Sequence, residues 1–248
     1  MTLILGLDCA DGLLLASDGQ ITIGTTGRDL RGPGDKLFCS WTNIAWAGSG
    51  HVGIIQRVAQ ALESAFPCTH FEDTDIGTIR EELCSTVAGV VRPLLAERHI
   101  AVPGSNPLTS YLFVGHVPQG SFILEVGAEL LDTDHTATGY SAIGSGDIFP
   151  YFALVGLAHF KVRQHRLAEA KLVAYRVVDD AIRAAAMGLG PPIQMVEIRR
   201  PGAAGERAVA QKLSRDDLRI LEDKVAEWKA LEAETLGRFI GVATQAPQ

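Results

Sequence analysis

The order of strand-like and helix-like segments constrains the fold of this 248-residue chain more than any other feature. Short apolar runs typical of strands come in groups, and pairs of segments with apolar residues at helical spacing separate the groups. The predicted order is strands, two helices, strands, two helices, strands and a terminal helix. Because strands and helices do not alternate, the pattern favours an α+β fold over a parallel βαβ fold. We predict one domain over 1–248, extended beyond about residue 200 by a further strand and helix.

The individual elements follow from periodicity and from turn and capping residues. Asp11-Gly12 between two apolar runs predicts a β-hairpin, and Ser214 with Asp217 predicts the capped start of the last helix. Strands or extended segments are predicted at 3–8, 13–17, 35–38, 43–47, 110–117, 121–126, 193–199 and 208–212. Helices are predicted at 51–66, 76–99, 148–161, 167–187 and 214–239, with a turn around 103–107 before the third group of strands.

Charge and composition bound the partners of the chain. The net charge is -7 and there is no basic run, which argues against a nucleic acid or an anionic membrane as the main partner. No apolar stretch reaches the ~18 residues of a membrane helix, and no basic, apolar leader is present. The four cysteines are scattered, so we expect a cytoplasmic protein with reduced thiols. No cluster of cysteine and histidine proposes a metal, and we expect no cofactor.

Thr2 is a candidate nucleophile because it directly follows the initiator methionine. Removal of Met1 would leave Thr2 with both a hydroxyl and a free α-amine. That amine titrates near pH ~8, so it can accept the hydroxyl proton at neutral pH. A threonine activated by its own amine is a recognised arrangement for covalent catalysis.

Five short motifs in order give the chain a family resemblance. The motifs are Thr2 itself, Ala16–Gly24 (ASDGQITIG), Lys36–Phe38 (KLF), Ile44–Gly48 (IAWAG) and Ala142–Gly146 (AIGSG). On these motifs the chain resembles the proteasome β-subunit/HslV family of N-terminal-threonine hydrolases over about residues 2–200. The Asp-Gly-Gln-x-Thr-x-Gly form of residues 18–24 is closer to the HslV branch than to β-subunits with Asp-x-Arg at this place.

The resemblance implies a role for five residues. Thr2 would attack a peptide carbonyl and form an acyl-enzyme that water hydrolyses. Lys36 would stabilise the alkoxide of Thr2, and Asp18 would pair with Lys36 and keep it charged. Gly48 would donate its backbone N–H to the oxyanion, and Ser145 would orient the amine. Each also has an ordinary structural explanation, such as a surface lysine or a turn residue.

The same resemblance implies a substrate pocket, and it shows that two usual polar partners of the Thr2 amine are absent from the sequence. Ile21, Phe38, Trp46 and Gly50 would form the first specificity pocket, which Trp46 would make shallow, although all four fit a core equally well. The residues at 186–189 are Ala-Met-Gly-Leu, where many β-subunits have Asp and Ser. Without those partners for the amine, a catalytically weak or silent ring protein remains an alternative.

For the whole molecule, the resemblance implies an Ntn-hydrolase fold, a four-layer α/β/β/α sandwich of two antiparallel sheets flanked by helix pairs. It implies stacked homo-oligomeric rings of about twelve to fourteen chains that degrade unfolded polypeptides in an inner chamber. The apolar faces of 51–66 and 76–99 are the expected ring contacts, because they would otherwise be exposed. HslV works with a ring ATPase that unfolds substrates, and the sequence leaves open whether this chain has such a partner.

A second alternative comes from a different class of protein. Residues 48–53 read Gly-Ser-Gly-His-Val-Gly, a G-x-G-x-x-G pattern that follows an apolar strand and opens a helix. Acidic residues follow about 20 positions later, at Glu72, Asp73 and Asp75, as a dinucleotide site requires. Against a dinucleotide-binding oxidoreductase, these acids lie in a loop between two helices and the later elements do not alternate.

Overall fold

Antiparallel sheets and five α-helices make up the described part of the chain. The structure is a computed structural model that describes residues 2–23, 30–101, 109–156, 161–184, 188–202 and 206–240. The strands are β1 Ile4–Cys9, β2 Gly12–Ser17, β3 Gln20–Ile23, β4 Leu30–Pro33, β5 Leu37–Phe38, β6 Ile44–Ser49, β7 Ser110–Val117, β8 Gly120–Val126, β9 Asp132–Asp134, β10 Tyr140–Ile143, β11 Gln194–Arg199 and β12 Val209–Lys212. The helices are α1 Val52–Ala65, α2 Ile76–Ala101, α3 Ile148–Gly156, α4 Leu167–Arg183 and α5 Arg215–Phe239.

Two five-stranded sheets organise these strands. The first has the order β10-β1-β2-β11-β12 and the second β5-β6-β7-β8-β9, while β3 and β4 form a separate two-stranded sheet. Every strand pairing in the described residues is antiparallel. β1 and β2 pair from Cys9–Gly12 back to Ile4–Ser17, which confirms the predicted hairpin.

Both faces of the first sheet are apolar and covered. Neighbouring residues of a strand point to opposite faces. In β1, Ile4 belongs to a cluster shared with Leu112 and Val114 of the second sheet, whereas Leu5 belongs to a cluster with the residues of α4. Every residue of β1 and β2 is therefore buried, as expected for strands covered on both sides.

The apolar faces of α1 and α2 are buried within the chain. Val58 and Leu62 of α1 pack with Leu83 and Val87 of α2 and with Phe113 of the second sheet. We expected these two faces to form the ring contacts because they would be exposed in a single chain. That argument is wrong, since the apolar side chains of both faces are buried within the chain. The exposed large apolar side chains lie mainly on α3 and α5, at Ile148, Tyr151, Phe152, Val155, Ile220, Leu231, Leu236 and Phe239.

Most predicted elements are present, with differences at their ends. The capping box of α5 is confirmed, since the Ser214 side chain accepts from the Asp217 N–H. α3 ends at Gly156 and α4 at Arg183, both short of the prediction. The predicted continuations at 157–160 and 185–187 lie outside the described residues, as does the predicted turn at 103–107. The strands β3, β4, β9 and β10 were not predicted. Among the described residues, no helix is both long and apolar enough to cross a membrane.

Candidate active site

Strand register brings three of the predicted catalytic residues, Thr2, Asp18 and Ser145, to one end of the first sheet. β1 pairs with β10 through Ile4 and Ile143, so continuing the ladder by two residues places Thr2 beside Ser145. β1 pairs with β2 through Ile4 and Ser17, which in the same way places Leu3 beside Asp18. Backbone hydrogen bonds continue both ladders, from the Gly146 N–H to the Thr2 carbonyl (3.1 Å) and from the Asp18 N–H to the Leu3 carbonyl (3.3 Å).

Lys36 joins Thr2 to Asp18. Its Nζ lies 2.7 Å from Asp18 Oδ1 and 3.4 Å from Thr2 Oγ1. Asp18 is 0% exposed and Lys36 is 7% exposed, so the pair is buried. A buried carboxylate is stable only when donors surround it. Asp18 meets that condition, because it also accepts the backbone N–H groups of Leu3 (3.0 Å), Gln20 (3.3 Å) and Gly190 (3.3 Å).

The protonation of Lys36 is set by two opposing effects. Burial lowers the pKa of its ammonium from the ordinary 10.5, because the charged form loses hydration, and the negative charge of Asp18 opposes this effect. The ammonium is therefore held next to the Thr2 hydroxyl in a site where it gives up its proton more readily than a surface lysine. A cation in this place lowers the free energy of an alkoxide on Thr2 Oγ1.

The turn between β10 and α3 positions the nitrogen of Thr2. Thr2 N lies 3.3 Å from Ser145 Oγ. In the encoded chain this nitrogen belongs to a peptide bond with Met1, which lies outside the described residues, and removal of Met1 would make it the α-amine. The turn needs glycine at position 144, where φ is +101° and an added Cβ would lie 2.2 Å from the Thr2 carbonyl oxygen.

A cleft of about 610 Å³ opens in front of Thr2. Three of the four predicted pocket residues, Ile21, Phe38 and Gly50, line it, and so does Gly48. An added Cβ at Gly48 would come within 2.9 Å of the Ile55 side chain, so this strand position has no room for one. The predicted pocket role of Trp46 is wrong. Its side chain is fully buried and stacks under Phe38 at 4.2 Å, away from the described lining of the cleft.

Two residues at the site escaped the sequence analysis. Gly190 donates to Asp18 from just before β11, and Gln194, the first residue of β11, contacts the segment that carries Lys36. Both lie more than 150 residues from their partners, and no motif in the sequence links them. Residues 186–189 lack the polar partners that the family provides for the amine. Ala186 and Met187 of this segment lie outside the described residues. Leu189 is buried and has no side-chain polar atom to offer the amine.

The dinucleotide-binding alternative does not fit the structure. Gly48 and Ser49 belong to β6, which pairs antiparallel with both of its neighbours, whereas a dinucleotide fingerprint requires a parallel βαβ unit. The acidic residues have other partners. Glu72 accepts from Thr42 (2.9 Å) and pairs with Arg207, and Asp75 accepts the Thr78 N–H (3.0 Å) at the start of α2.

Comparison with known proteins identifies solved structures of the same fold. No protein-family model and no curated protein sequence matches the chain. One similar structure, described as the helical assembly of the Anbu complex from Pseudomonas aeruginosa, has a TM-score of 0.75 at 16% identity over 99% of this chain and 98% of that one. Anbu (ancestral beta-subunit) from Yersinia bercovieri has a TM-score of 0.69 at 14% identity over 99% and 100%. A Gly-1 mutant of Anbu from Hyphomicrobium sp. strain MC1 has a TM-score of 0.69 at 16% identity over the whole of both chains.

These neighbours correct the family assignment made from the sequence. They are described as ancestral β-subunits, which have a proteasome-like fold but form a distinct family. The assignment to the proteasome β-subunit/HslV family, and to its HslV branch, is therefore wrong. The local motif at residues 18–24 that suggested HslV covers seven residues, whereas the structural match covers the entire chain. At 14–16% identity the match establishes a shared proteasome-like fold and no more.

Proposed function

We propose that the chain is a weakly active threonine amidohydrolase that cleaves peptide bonds after removal of Met1. The observation that carries the proposal is the position of Lys36 Nζ, within 3.4 Å of Thr2 Oγ1 and 2.7 Å of Asp18 Oδ1, in the wall of a large cleft. A hydroxyl, an adjacent buried cation and an orienting carboxylate are the parts that an activated nucleophile needs.

The proposed reaction has two halves, acylation of Thr2 and hydrolysis of the resulting ester. The α-amine of Thr2 takes the hydroxyl proton, and Oγ1 attacks the substrate carbonyl carbon. Lys36 stabilises the developing alkoxide, and the Gly48 N–H stabilises the oxyanion of the tetrahedral intermediate. The protonated amine then gives its proton to the leaving nitrogen, and the peptide bond breaks. Water, deprotonated by the same amine, hydrolyses the acyl-threonine ester and restores the hydroxyl.

Two features support a low rate. The contact of Lys36 with Thr2 is long for a charge-assisted hydrogen bond, which is usually about 2.7–2.9 Å. The nitrogen of Thr2 has Ser145 as its side-chain partner at 3.3 Å, and Leu189 offers it nothing. A catalytically silent scaffold is the second candidate, because the same fold and contacts would exist without any turnover.

The proposal includes the architecture and the assembly. The apolar clusters on both faces of the first sheet and under α1 and α2 support the four-layer α/β/β/α order.

The Anbu complex of P. aeruginosa is described as a helical assembly, which supports assembly of this chain with copies of itself. Whether copies close into stacked rings or form an open helix depends on the rotation between neighbours. Unfolded polypeptides are the proposed substrates, and a ring ATPase remains an untested expectation.

Intact mass spectrometry after incubation with a threonine-directed epoxyketone tests this function. The reagent bonds to both the hydroxyl and the amine of an N-terminal threonine, so adduct formation requires loss of Met1. We expect a single adduct on the wild type, a slower one on Thr2→Ser and none on Thr2→Ala. Wild-type protein that has lost Met1, is assembled and still forms no adduct would support the silent scaffold instead.

A further inference from the structure

A closed circuit of hydrogen bonds surrounds the pair of Lys36 and Asp18. Asp18 accepts the Gly190 N–H (3.3 Å), and the Gly190 carbonyl accepts the Gly19 N–H (2.9 Å). The Gly19 carbonyl accepts the Gly34 N–H (2.9 Å). Gln194 joins the remaining ends, because its Nε2 donates to the Gly34 carbonyl (2.6 Å) and its Oε1 accepts the Lys36 N–H (3.0 Å). The ion pair of Lys36 with Asp18 closes the circuit at 2.7 Å.

We propose that Gln194 is a positioning residue for Lys36 in the reaction above, on which this inference rests. It is the only side chain in the circuit apart from Lys36 and Asp18, since all other links are backbone groups of glycines. Its amide forms hydrogen bonds with the chain on both sides of Asp35, at the Gly34 carbonyl and the Lys36 N–H, and we call these two bonds the grip. The amide orientation follows from these contacts, because the nitrogen faces a carbonyl and the oxygen faces an N–H.

Such a grip matters because a lysine side chain has a long, flexible stem. The stem has many accessible rotamers, so the position of Nζ depends on how firmly its backbone is held. Asp18 fixes the far end of the side chain, and Gln194 fixes the near end. A misplacement of about 1 Å in a catalytic group can cost on the order of 100-fold in rate. Without Gln194, the 3.4 Å contact with Thr2 would lengthen or become intermittent.

A purely structural role for Gln194 makes a different prediction. The residue also pairs with Ser17 through the β2–β11 ladder, but that pairing is made by the backbone and survives a change of side chain. If the side chain only stabilised the fold, its removal would lower the melting temperature and leave the reactivity of Thr2 unchanged. A positioning role lowers the reactivity even where the protein stays folded.

The test compares Gln194→Leu, similar in size but without the amide, with wild type and with Gln211→Leu, a control at an exposed glutamine on β12 of the same sheet. The full-length assembled protein is labelled with the epoxyketone, and the maximal labelling rate is separated from the half-saturating concentration. We expect the maximal rate of Gln194→Leu to fall about 10- to 100-fold, with little change in half-saturation. Gln194→Asn, which keeps an amide one methylene short, replaces it if the leucine variant does not fold.

Hydrogen exchange of the segment around Lys36 provides a readout that does not need catalysis. Faster exchange in Gln194→Leu than in wild type, together with slower labelling, is the expected result. A labelling rate within about twofold of wild type in a folded variant would overturn the positioning role. If wild-type protein shows no labelling, the proposed function fails; in that case unchanged exchange in Gln194→Leu would also overturn the proposed grip, whereas faster exchange would support the grip independently of catalysis.

Discussion

At the scale of single residues, the site depends on how one ammonium is shared between a carboxylate and a hydroxyl. The contact of Lys36 with Asp18 is 0.7 Å shorter than its contact with Thr2, the difference between 3.4 and 2.7 Å. The cation is therefore held mainly by Asp18 and makes the longer contact with the Thr2 hydroxyl. This geometry ties the reactivity of Thr2 to the charge of Asp18, although the two residues serve different parts of the reaction.

The first prediction concerns the alkaline limb of the pH profile. In the proposed reaction Lys36 acts as an ammonium, so the rate should fall as the pH rises through its pKa. Burial lowers that pKa from 10.5, and Asp18 opposes the change. Asp18→Asn removes the opposing charge, so the pKa should fall further and the alkaline limb should move to lower pH.

Labelling rates measured from about pH 7 to about pH 11 would show this shift, with Asp216→Asn on exposed α5 as the control. An alkaline limb that stays in place in a folded Asp18→Asn variant would show that Lys36 is not the group that titrates.

The second prediction concerns the charge of the substrate. Asp35 and Asp147 add carboxylates to the described lining of the cleft, while the charge of Lys36 is compensated by Asp18. Asp35 lies 3.5 Å from Lys212, but Asp147 has no ion pair or hydrogen bond from its side chain to any described residue. We expect Asp147→Asn to lower the preference for peptides containing arginine over matched citrulline peptides by about 2- to 5-fold.

The ratio of kcat/KM values for the two peptides measures this preference, and added salt should weaken it in wild type. A ratio that is equal in wild type and Asp147→Asn would exclude Asp147 as a determinant of substrate charge.

At the scale of elements, the turn between β10 and α3 holds the N-terminal residue from three directions. The Ser145 hydroxyl accepts a hydrogen bond from the nitrogen of Thr2, and the Gly146 N–H donates to the Thr2 carbonyl. Gly144 leaves room for that carbonyl. None of these contacts belongs to a helix or a strand interior, so the geometry rests on a few backbone angles. Residues of this kind tolerate substitution poorly when φ is positive.

The third prediction follows from that turn. Gly144→Ala would place a Cβ at φ +101° and 2.2 Å from the Thr2 carbonyl oxygen. We expect a loss of about 2–3 kcal/mol in the free energy of unfolding and loss of labelling at Thr2. Gly89→Ala is the matched control. Gly89 is exposed within α2, and a Cβ added there would meet no side chain or other segment within 4 Å, so alanine should stabilise the protein by up to about 1 kcal/mol.

Chemical denaturation of both variants compares the two effects directly. Equal stabilities for Gly144→Ala and wild type would mean that the turn can move without cost, and the argument for a rigid N-terminal residue would fail.

The sequence predicted those elements whose signals are local. The hairpin at Asp11-Gly12 and the cap at Ser214 were found because a turn or a cap depends on adjacent residues. The strand β10 was missed because Tyr140–Ile143 is short and is stabilised mainly by pairing with β1. Gln194 was missed for the same reason, since its partners lie 158 and 160 residues away. Trp46 was misplaced because a buried aromatic residue in a strand fits a pocket and a core equally well until the packing is known.

At the scale of the whole molecule, the exposed apolar side chains are concentrated rather than scattered. On α3, Ile148 is 53% exposed, Phe152 71% and Val155 70%, within nine residues. This helix directly follows Asp147 at the cleft, so a neighbour packed against it would also border the proposed active site. Clustered apolar surface of this kind is typical of interfaces.

The fourth prediction tests that surface as a contact between copies. Phe152→Glu places a charge in the middle of the apolar face, so we expect a smaller assembled fraction at micromolar concentration, with the fold retained. Light scattering and negative-stain microscopy would distinguish assemblies from the 26.5 kDa monomer. Ile220→Glu, at an apolar residue of α5 that is 54% exposed, is the control. Normal assembly of Phe152→Glu would exclude the α3 face as a necessary contact.

The long sequence separations within the site have a consequence for protein synthesis. Thr2 depends on Ser145, 143 residues away, and Lys36 depends on Gln194, 158 residues away. Translation adds about 5–20 residues per second, so the partner from β11 leaves the ribosome roughly ten to forty seconds after Thr2. During that interval Lys36 has no grip from Gln194 and Asp18 lacks the donor from Gly190. The order of synthesis therefore delays completion of the surroundings of Thr2 until most of the described fold has been made.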